Sequence, residues 1–320
     1  MPPIRIRALT AAMLAALAVL ALPSAAPAAG PLTIGIGEQR PDLFASPLWS
    51  KLKAPDVRYI VAWDALSNKQ QRTETDAYMA AAEAAGAHVL LGFSHSRSRY
   101  KARRKKLPST RRYRREFLRF RARYPFVKTY LTWNEANHRG QPTWNHPGMA
   151  GRYYDVLRNN CRTCTIVGPS VLDSSAMPDW VKKVERRAKH PIRIWAIHNY
   201  IDANRFRTRG TRSLLRATKG RIWFTETGGL VRRDNGSRIE FAESPKHAVR
   251  ATKWVFKLAR LSRRVRRVYI YHWTAPAPKA TWDSALLDRR GRPRPAYAVV
   301  RSFVRRLRVV TRRQRAARAR

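Results

Sequence analysis

The feature that most constrains the fold is a series of short β-rich runs, each followed by a stretch long enough for a helix. Runs such as Tyr59-Ile60-Val61-Ala62 are almost continuously apolar, which is typical of strands buried on both faces of a parallel sheet. Eight runs recur, at 32–37, 57–63, 88–93, 127–133, 165–168, 192–198, 221–225 and 267–272. Eight alternating units favour a closed (β/α)8 barrel, that is, an α/β TIM barrel forming a single domain. An open doubly wound sheet is the alternative, but no G-x-G-x-x-G segment follows any run.

The segments between these runs carry the amphipathic pattern of helices. The predicted helices span 73–85, 111–124, 149–159, 178–188, 244–261 and 294–308, with a short one around 42–52. No linker rich in Gly or Ser divides the chain, which agrees with a single domain.

The N-terminal segment has the pattern of a targeting signal. Arg5 and Arg7 precede an apolar run from Ala8 to Leu22, and Ala26-Pro27-Ala28 offers small residues for cleavage. We therefore predict a signal peptide at 1–29, a barrel domain at 30–308 and a basic C-terminal tail at 309–320. An uncleaved anchor is the alternative. The expected location is secreted or extracytoplasmic in a bacterium, with no transmembrane span after processing.

The charge balance limits the possible partners. The chain has 66 Lys and Arg against 20 Asp and Glu, a formal net charge of +46. Such a charge suggests nucleic acid, anionic lipid or an acidic polysaccharide as partner. The basic residues are spread over 97–123, 205–216, 263–267 and 305–320, which favours the alternative of simply solvated side chains. No nucleic-acid recognition motif accompanies them, so no specific nucleic acid is expected, whereas the C-terminal run predicts contact with an anionic cell-surface polymer.

The ends of two strands carry candidate catalytic acids. The fourth run leads into Trp133-Asn134-Glu135-Ala136-Asn137 and the seventh into Thr225-Glu226-Thr227-Gly228-Gly229. In a (β/α)8 barrel the chemistry lies at the C-terminal ends of the strands. Two carboxylates about 5 Å apart there suit a retaining glycosidase, in which one is the nucleophile and the other the acid/base. Either acid alone is more often a solvated carboxylate, but the pair favours catalysis.

These two motifs, in this order, resemble glycoside hydrolase clan A, the (β/α)8-barrel retaining glycosidases, with families five and thirty-nine nearest. The second strand adds Arg58 and, five residues later, Trp63. The chain departs from the clan at Ala136, where Pro is frequent, and at Ser94-His95, where an Asp is often found.

The resemblance implies a role for each site residue. Glu135 would be the acid/base and Glu226 the nucleophile of a double displacement on a β-linked oligo- or polysaccharide. Asn134 would bind the sugar 2-hydroxyl, Arg58 and Tyr200 would hydrogen-bond the nucleophile, and His198 would line the same wall. The remaining expected substrate-binding residues are Trp273 as the floor of the sugar site, His95 and Trp63.

The two acids must differ in protonation, so their surroundings should differ. Arg58 and Tyr200 would favour the ionised form of Glu226. Trp133 and the charge of Glu226 would favour the protonated form of Glu135. The surrounding positive charge predicts an acid-shifted pH profile.

Cys161 and Cys164 form a C-x-x-C segment before the fifth strand. In an exported barrel a structural disulfide is expected, and a redox or metal role is the alternative. We expect no metal and no cofactor. The sequence therefore predicts a secreted retaining glycoside hydrolase; the alternative is a non-catalytic, cationic protein that binds polyanions of the cell envelope on a hydrolase-like barrel.

Overall fold

The computed structural model describes residues 32–234 and 240–318, so the predicted signal peptide at 1–29 lies outside the described residues. The strands within these ranges are β1 Thr33–Gly37, β2 Asp56–Ala62, β3 His88–Ser94, β4 Thr129–Leu131, β5 Thr165–Val167, β6 Ser170–Leu172, β7 Ile194–His198, β8 Arg221–Thr227, β9 Arg232–Arg233, β10 Val265–Tyr271 and β11 Trp282–Asp283.

Nine of these strands form one parallel sheet in the order β5-β4-β3-β2-β1-β10-β8-β7-β6. The two ends of this order, β5 and β6, are separated in the chain only by Gly168 and Pro169. Gly168 N donates to Ile194 O of β7 at 2.8 Å, and Ser170 N donates to Trp133 O at 2.8 Å. β5 and β6 are therefore two halves of a fifth barrel strand, and the sheet closes into the predicted (β/α)8 barrel.

Helices follow the barrel strands and cover the outside of the sheet. They are α1 Pro47–Leu52, α2 Lys69–Ala84, α3 Lys101–Arg104, α4 Thr110–Arg123, α5 Pro147–Asn160, α6 Met177–Glu185, α7 Tyr200–Asn204, α8 Arg209–Ala217, α9 Pro245–Ala259 and α10 Pro295–Arg318. Three of them begin at a side-chain cap: Asn68 accepts from Gln71 N, Ser109 from Arg112 N and Ser244 from His247 N.

Two helical features differ from the sequence expectation. The short α3, after β3, and α7 and α8, between β7 and β8, are not among the predicted helices, because these segments have few apolar residues to mark a buried face. α8 buries only Gly210, Thr211 and Leu214. At the other end of the chain, α10 continues to Arg318 and so includes most of the segment predicted as a tail at 309–320.

Two layers of apolar packing hold the barrel. A cluster inside the barrel fills its interior, and a larger one lies between the sheet and the helices. The interior cluster consists of Ile60, Leu90, Leu131, Val167, Ile194, Ala196, Trp223 and Tyr269. Cys161 and Cys164 form the predicted disulfide between α5 and β5, at the end of the barrel where the strands begin. Among the described residues, no helix combines the length and apolar composition needed to cross a bilayer.

Candidate active site

Four strands deliver polar side chains to the end of the barrel where the strands finish. Arg58 extends from β2, and Glu226 lies near the end of β8. Glu135 follows β4, and His198 is the last residue of β7. Because all barrel strands are parallel, these side chains reach the same mouth from opposite walls.

Glu226 is held by two donors. Arg58 Nη2 lies 2.6 Å from Glu226 Oε2, and Tyr200 Oη donates to Oε1 at 3.1 Å. The Arg58 side chain is 2% exposed and that of Glu226 is 13% exposed. Hydrogen bonds between a guanidinium and a carboxylate are short and strong, so these two donors fix the orientation of the Glu226 carboxylate. Both contacts were expected from the sequence.

Arg58 also connects Glu226 to the segment after β4 that carries Asn134 and Glu135. Its Nη2 donates to Asn134 Oδ1 at 2.7 Å. Asn134 is itself positioned by its backbone N–H, which donates to Phe93 O of β3 at 2.7 Å. The amide nitrogen of Asn134 therefore has a fixed orientation relative to Glu226.

The turn that carries Glu135 is unusual. Glu135 has a φ of 48°, in the left-handed region that non-glycine residues rarely occupy. Its N–H donates to Ser170 Oγ of β6 at 2.8 Å, and Ala136 N donates to Ser170 O at 2.8 Å. Two hydrogen bonds to one residue of the next strand thus hold a backbone conformation that costs free energy by itself.

His198 lies between the two carboxylates. Its Nδ1 is 3.0 Å from Glu135 Oε1 and 3.8 Å from Glu226 Oε2, and its side chain is fully buried. Burial raises the pKa of Glu135, but the hydrogen bond and charge of His198, with the charges of His138 and Arg58, outweigh it and lower that pKa.

This result corrects the expected surroundings of Glu135. The sequence predicted that Trp133 and the charge of Glu226 would favour the protonated form of Glu135, but the pKa of Glu135 is lowered. Trp133 is instead completely buried, stacks on Tyr153 and donates its Nε1–H to Gln141 Oε1 at 2.9 Å. The neighbour that sets the proton affinity of Glu135 is His198.

The carboxylates are close enough for double displacement. The facing ligand atoms of Glu135, His198 and Glu226 all lie within 4.8 Å of one another. Two carboxyl groups about 5–5.5 Å apart are typical of retaining glycosidases, whereas inverting enzymes need about 6.5–9.5 Å to admit a water molecule. The same three groups could chelate a cation, but Arg58 already places a positive charge 2.6 Å from Glu226 Oε2. The trio therefore fits acid/base and nucleophilic chemistry better than metal binding.

Trp273 does not form the expected floor of the sugar site. It is 1% exposed and packs edge-on against Tyr297 of α10, with ring centroids 5.9 Å apart. The Glu38 carboxylate accepts the N–H groups of Trp273 and Thr274 at 3.1 and 3.2 Å, which fixes the backbone of this segment next to the end of β1.

Tyr271 is the aromatic residue of β10 that faces the carboxylates. It is partly exposed, and burial together with the charges of Glu226, Glu38 and Glu135 raises the pKa of its phenol. A side chain at Gly37 would come within 3.2 Å of the Tyr271 ring and 3.4 Å of Arg58 Nη1, so the glycine admits both. Tyr271 therefore replaces Trp273 as the candidate floor.

The remaining predicted residues lie around the mouth. His95 directly follows β3 and is half-buried, with its Nδ1 3.4 Å from Ser94 Oγ. Trp63 lines a separate cavity beside β2 and β3. The structure adds Trp282, whose ring meets Tyr200 edge-on at 4.7 Å. Sequence reasoning assigned no role to Ser170, which holds the Glu135 turn, because a lone Ser in a strand carries no visible signal.

No protein-family model and no curated protein sequence matches the chain. Solved structures do match. The barrel is similar to a GH5_18 protein from Streptomyces cattleya in complex with GlcNAc, with 15% identity, 87% of this chain and 81% of that chain covered, and a TM-score of 0.62. A GH39 enzyme from Xanthomonas axonopodis pv. citri shares 15% identity over 86% of this chain and 67% of that chain, with a TM-score of 0.61.

Larger proteins also contain this barrel. A β-glucuronidase from an uncultured Clostridium matches with 11% identity and a TM-score of 0.58 over 87% of this chain, which spans 50% of the length of that chain. At these identities the comparisons establish the fold. The expected resemblance to the barrel glycosidases of clan A is therefore confirmed at the level of architecture.

Proposed function

We propose that this protein is a retaining glycoside hydrolase that cleaves a β-linked glycan, with Glu226 as nucleophile and Glu135 as acid/base. The observation that carries the proposal is the convergence of Glu135, His198 and Glu226 within 4.8 Å at the mouth of a glycosidase-type barrel. The guanidinium of Arg58, 2.6 Å from Glu226 Oε2, orients the carboxylate that attacks.

The chemistry follows from the two positions. Glu226 attacks the anomeric carbon while Glu135 donates its proton to the departing glycosidic oxygen, which leaves a covalent glycosyl-enzyme. Glu135, now ionised, then removes a proton from water, and this water displaces Glu226. Asn134 would bind the sugar 2-hydroxyl, and Tyr271 would form an aromatic floor for the ring.

The proposal extends to export, which is supported by the sequence pattern of residues 1–29. The structural neighbours differ in the sugar they are described with: one is in complex with GlcNAc and another is a β-glucuronidase. They therefore do not identify the sugar that this protein would cleave. No metal or cofactor has a role in the proposed steps.

The test is hydrolysis of a panel of aryl β-glycosides and of β-glucan, xylan and mannan by the wild type, Glu226→Ala and Glu135→Ala. Loss of activity in both variants supports the assignment, and activity that survives both substitutions contradicts it. If no substrate of the panel is cleaved, and binding to an anionic polymer is lost when salt is added, the alternative of a cationic polyanion-binding protein would be favoured.

A further inference from the structure

A large cavity beside the candidate active site has no part in the chemistry described above. It has a volume of about 970 Å³ and is formed by the segments that follow β2 and β3 and by the start of α4. Trp63 lines it on one side, and Ser96 and Arg97 line it on another. It contains neither Glu135 nor Glu226.

The cavity is connected to the catalytic groups through β3. The end of β3 uses Phe93 O to accept from Asn134 N at 2.7 Å and Ser94 O to accept from Trp63 N at 2.9 Å. Neighbouring strands are about 4.8 Å apart, and β3 lies between β2 and β4. The backbones of Trp63 and Asn134 are therefore roughly 10 Å from each other along the rim of the mouth. A glycan of a few sugars bound at Glu226 can reach the cavity.

The lining is cationic. Five basic residues face the cavity against three acidic ones, and the basic residues are Arg97, Arg99, Lys106, Arg112 and Arg115. Of the three acids, Glu116 is paired with cations, Arg119 and, at 3.5 Å, Arg115, whereas Asp64 and Glu74 accept hydrogen bonds from neutral side chains. Ser96 Oγ donates to Asp64 Oδ2 at 2.7 Å, Gln70 donates to Glu74 Oε1 at 2.9 Å, and Arg119 Nη1 lies 2.9 Å from Glu116 Oε2.

Two of the cations are held in place by the protein but still face solvent. Arg97 Nη2 donates to Ile60 O at 3.3 Å, and the guanidinium of Arg112 lies over the Trp63 ring, 5.9 Å from its centroid. Both arginines are exposed, and a guanidinium has five N–H donors, so further donors can reach a ligand. An arginine fork beside an aromatic ring suits a sugar that carries a negative charge.

We propose that this cavity binds an anionic sugar unit, bearing a carboxylate or a sulfate ester, of the glycan that the enzyme cleaves. The inference rests on the proposed glycosidase function and names its substrate class. The general surplus of arginine is spread over the whole chain, so the test must separate this cavity from bulk charge.

The experiment measures binding by titration calorimetry in the Glu226→Ala background, so that cleavage does not interfere. The ligands are a short oligouronate, its carboxyl-reduced neutral counterpart and a sulfated oligosaccharide of the same length. The test variant is Lys106→Ala/Arg112→Ala. The matched control is Lys128→Ala/Arg162→Ala, which removes one exposed Lys and one exposed Arg just before β4 and β5, at the opposite end of the barrel.

We expect the cavity variant to bind the charged ligands about tenfold more weakly, because two charge-assisted contacts are lost, and the control to bind them like the parent. The charged ligand with the higher affinity identifies the group as carboxylate or sulfate. Equal binding of the neutral ligand, or equal losses in the two variants, would overturn the inference. Cleavage of neutral aryl glycosides by the wild type tests the proposed function separately, since those substrates do not need the cavity.

Discussion

The two carboxylates at the barrel mouth are stabilised by different kinds of partner. Glu226 contacts a permanent cation, Arg58, and the phenol of Tyr200. Glu135 contacts the imidazole of His198 and has a more exposed side chain, 26% against 13%. The difference teaches that the two carboxylates have different surroundings: a guanidinium and a phenol orient Glu226, whereas an imidazole beside Glu135 lowers the pKa of that carboxyl.

The largest expected effect on activity is that of replacing Glu226. Glu226→Ala removes the proposed nucleophile, so kcat on every active aryl glycoside should fall by about 10⁴-fold or more. Steady-state rates with a preserved melting temperature would check this. Residual activity within about tenfold of the wild type would show that Glu226 is not the nucleophile.

Glu135→Ala should depend on the leaving group. With a glycan or an alkyl glycoside, which need protonation, kcat/KM should fall by about 10²- to 10⁴-fold. With a dinitrophenyl glycoside, whose leaving group needs little protonation, the first step should be almost unaffected. An equal loss on both substrates would contradict the acid/base assignment.

Tyr200→Phe removes one hydrogen bond to the Glu226 carboxylate. Hydrogen bonds to charged groups contribute about 1.5–3 kcal/mol, so kcat/KM should fall by about ten- to a hundredfold. Tyr154→Phe is the matched control, because Tyr154 Oη donates to Pro191 O at 3.2 Å away from the mouth. If both variants lost the same activity, the effect would be one of stability.

The smallest effect is a shift of the pH profile. His198 favours the ionised form of Glu135 and lowers its pKa, so the acid form is lost at a lower pH and the wild-type profile should be acid-shifted. His198→Leu should raise that pKa and move the alkaline limb of kcat/KM to higher pH. His190→Leu, at a half-buried histidine that contacts Asn159 Oδ1 away from the mouth, should leave the limb in place. An alkaline limb that moves down in His198→Leu would show that His198 acts differently.

The sequence predicted the barrel because its buried strands are nearly continuous apolar runs, and it predicted Glu135 and Glu226 because strand ends are visible in such a pattern. The expected roles of Arg58, Tyr200 and His198 came from the resemblance to clan A. Sequence reasoning misjudged Trp133, which was expected to act on Glu135 because the two lie close in the sequence. The Trp133 ring is buried against Tyr153, whereas Glu135, in a left-handed backbone conformation, contacts His198.

Trp273 was misplaced for a related reason. β10 ends at Tyr271, and the Glu38 carboxylate accepts the N–H groups of Trp273 and Thr274. Glu38 lies 235 and 236 positions before these residues in the chain. The cavity lined by Trp63 and Arg112 likewise depends on how separate loops pack. Contacts of this range carry no local pattern in the sequence.

The most direct test of the contrast between the carboxylates is the anomeric configuration of the products formed with azide. With an activated β-glycoside, Glu226→Ala should give the glycosyl azide of inverted configuration, because azide takes the place of the nucleophile. Glu135→Ala should give the azide of retained configuration, because azide attacks the glycosyl-enzyme formed on Glu226. Proton NMR of the two products would show this, and the same anomer from both variants, or the reverse assignment, would contradict the account.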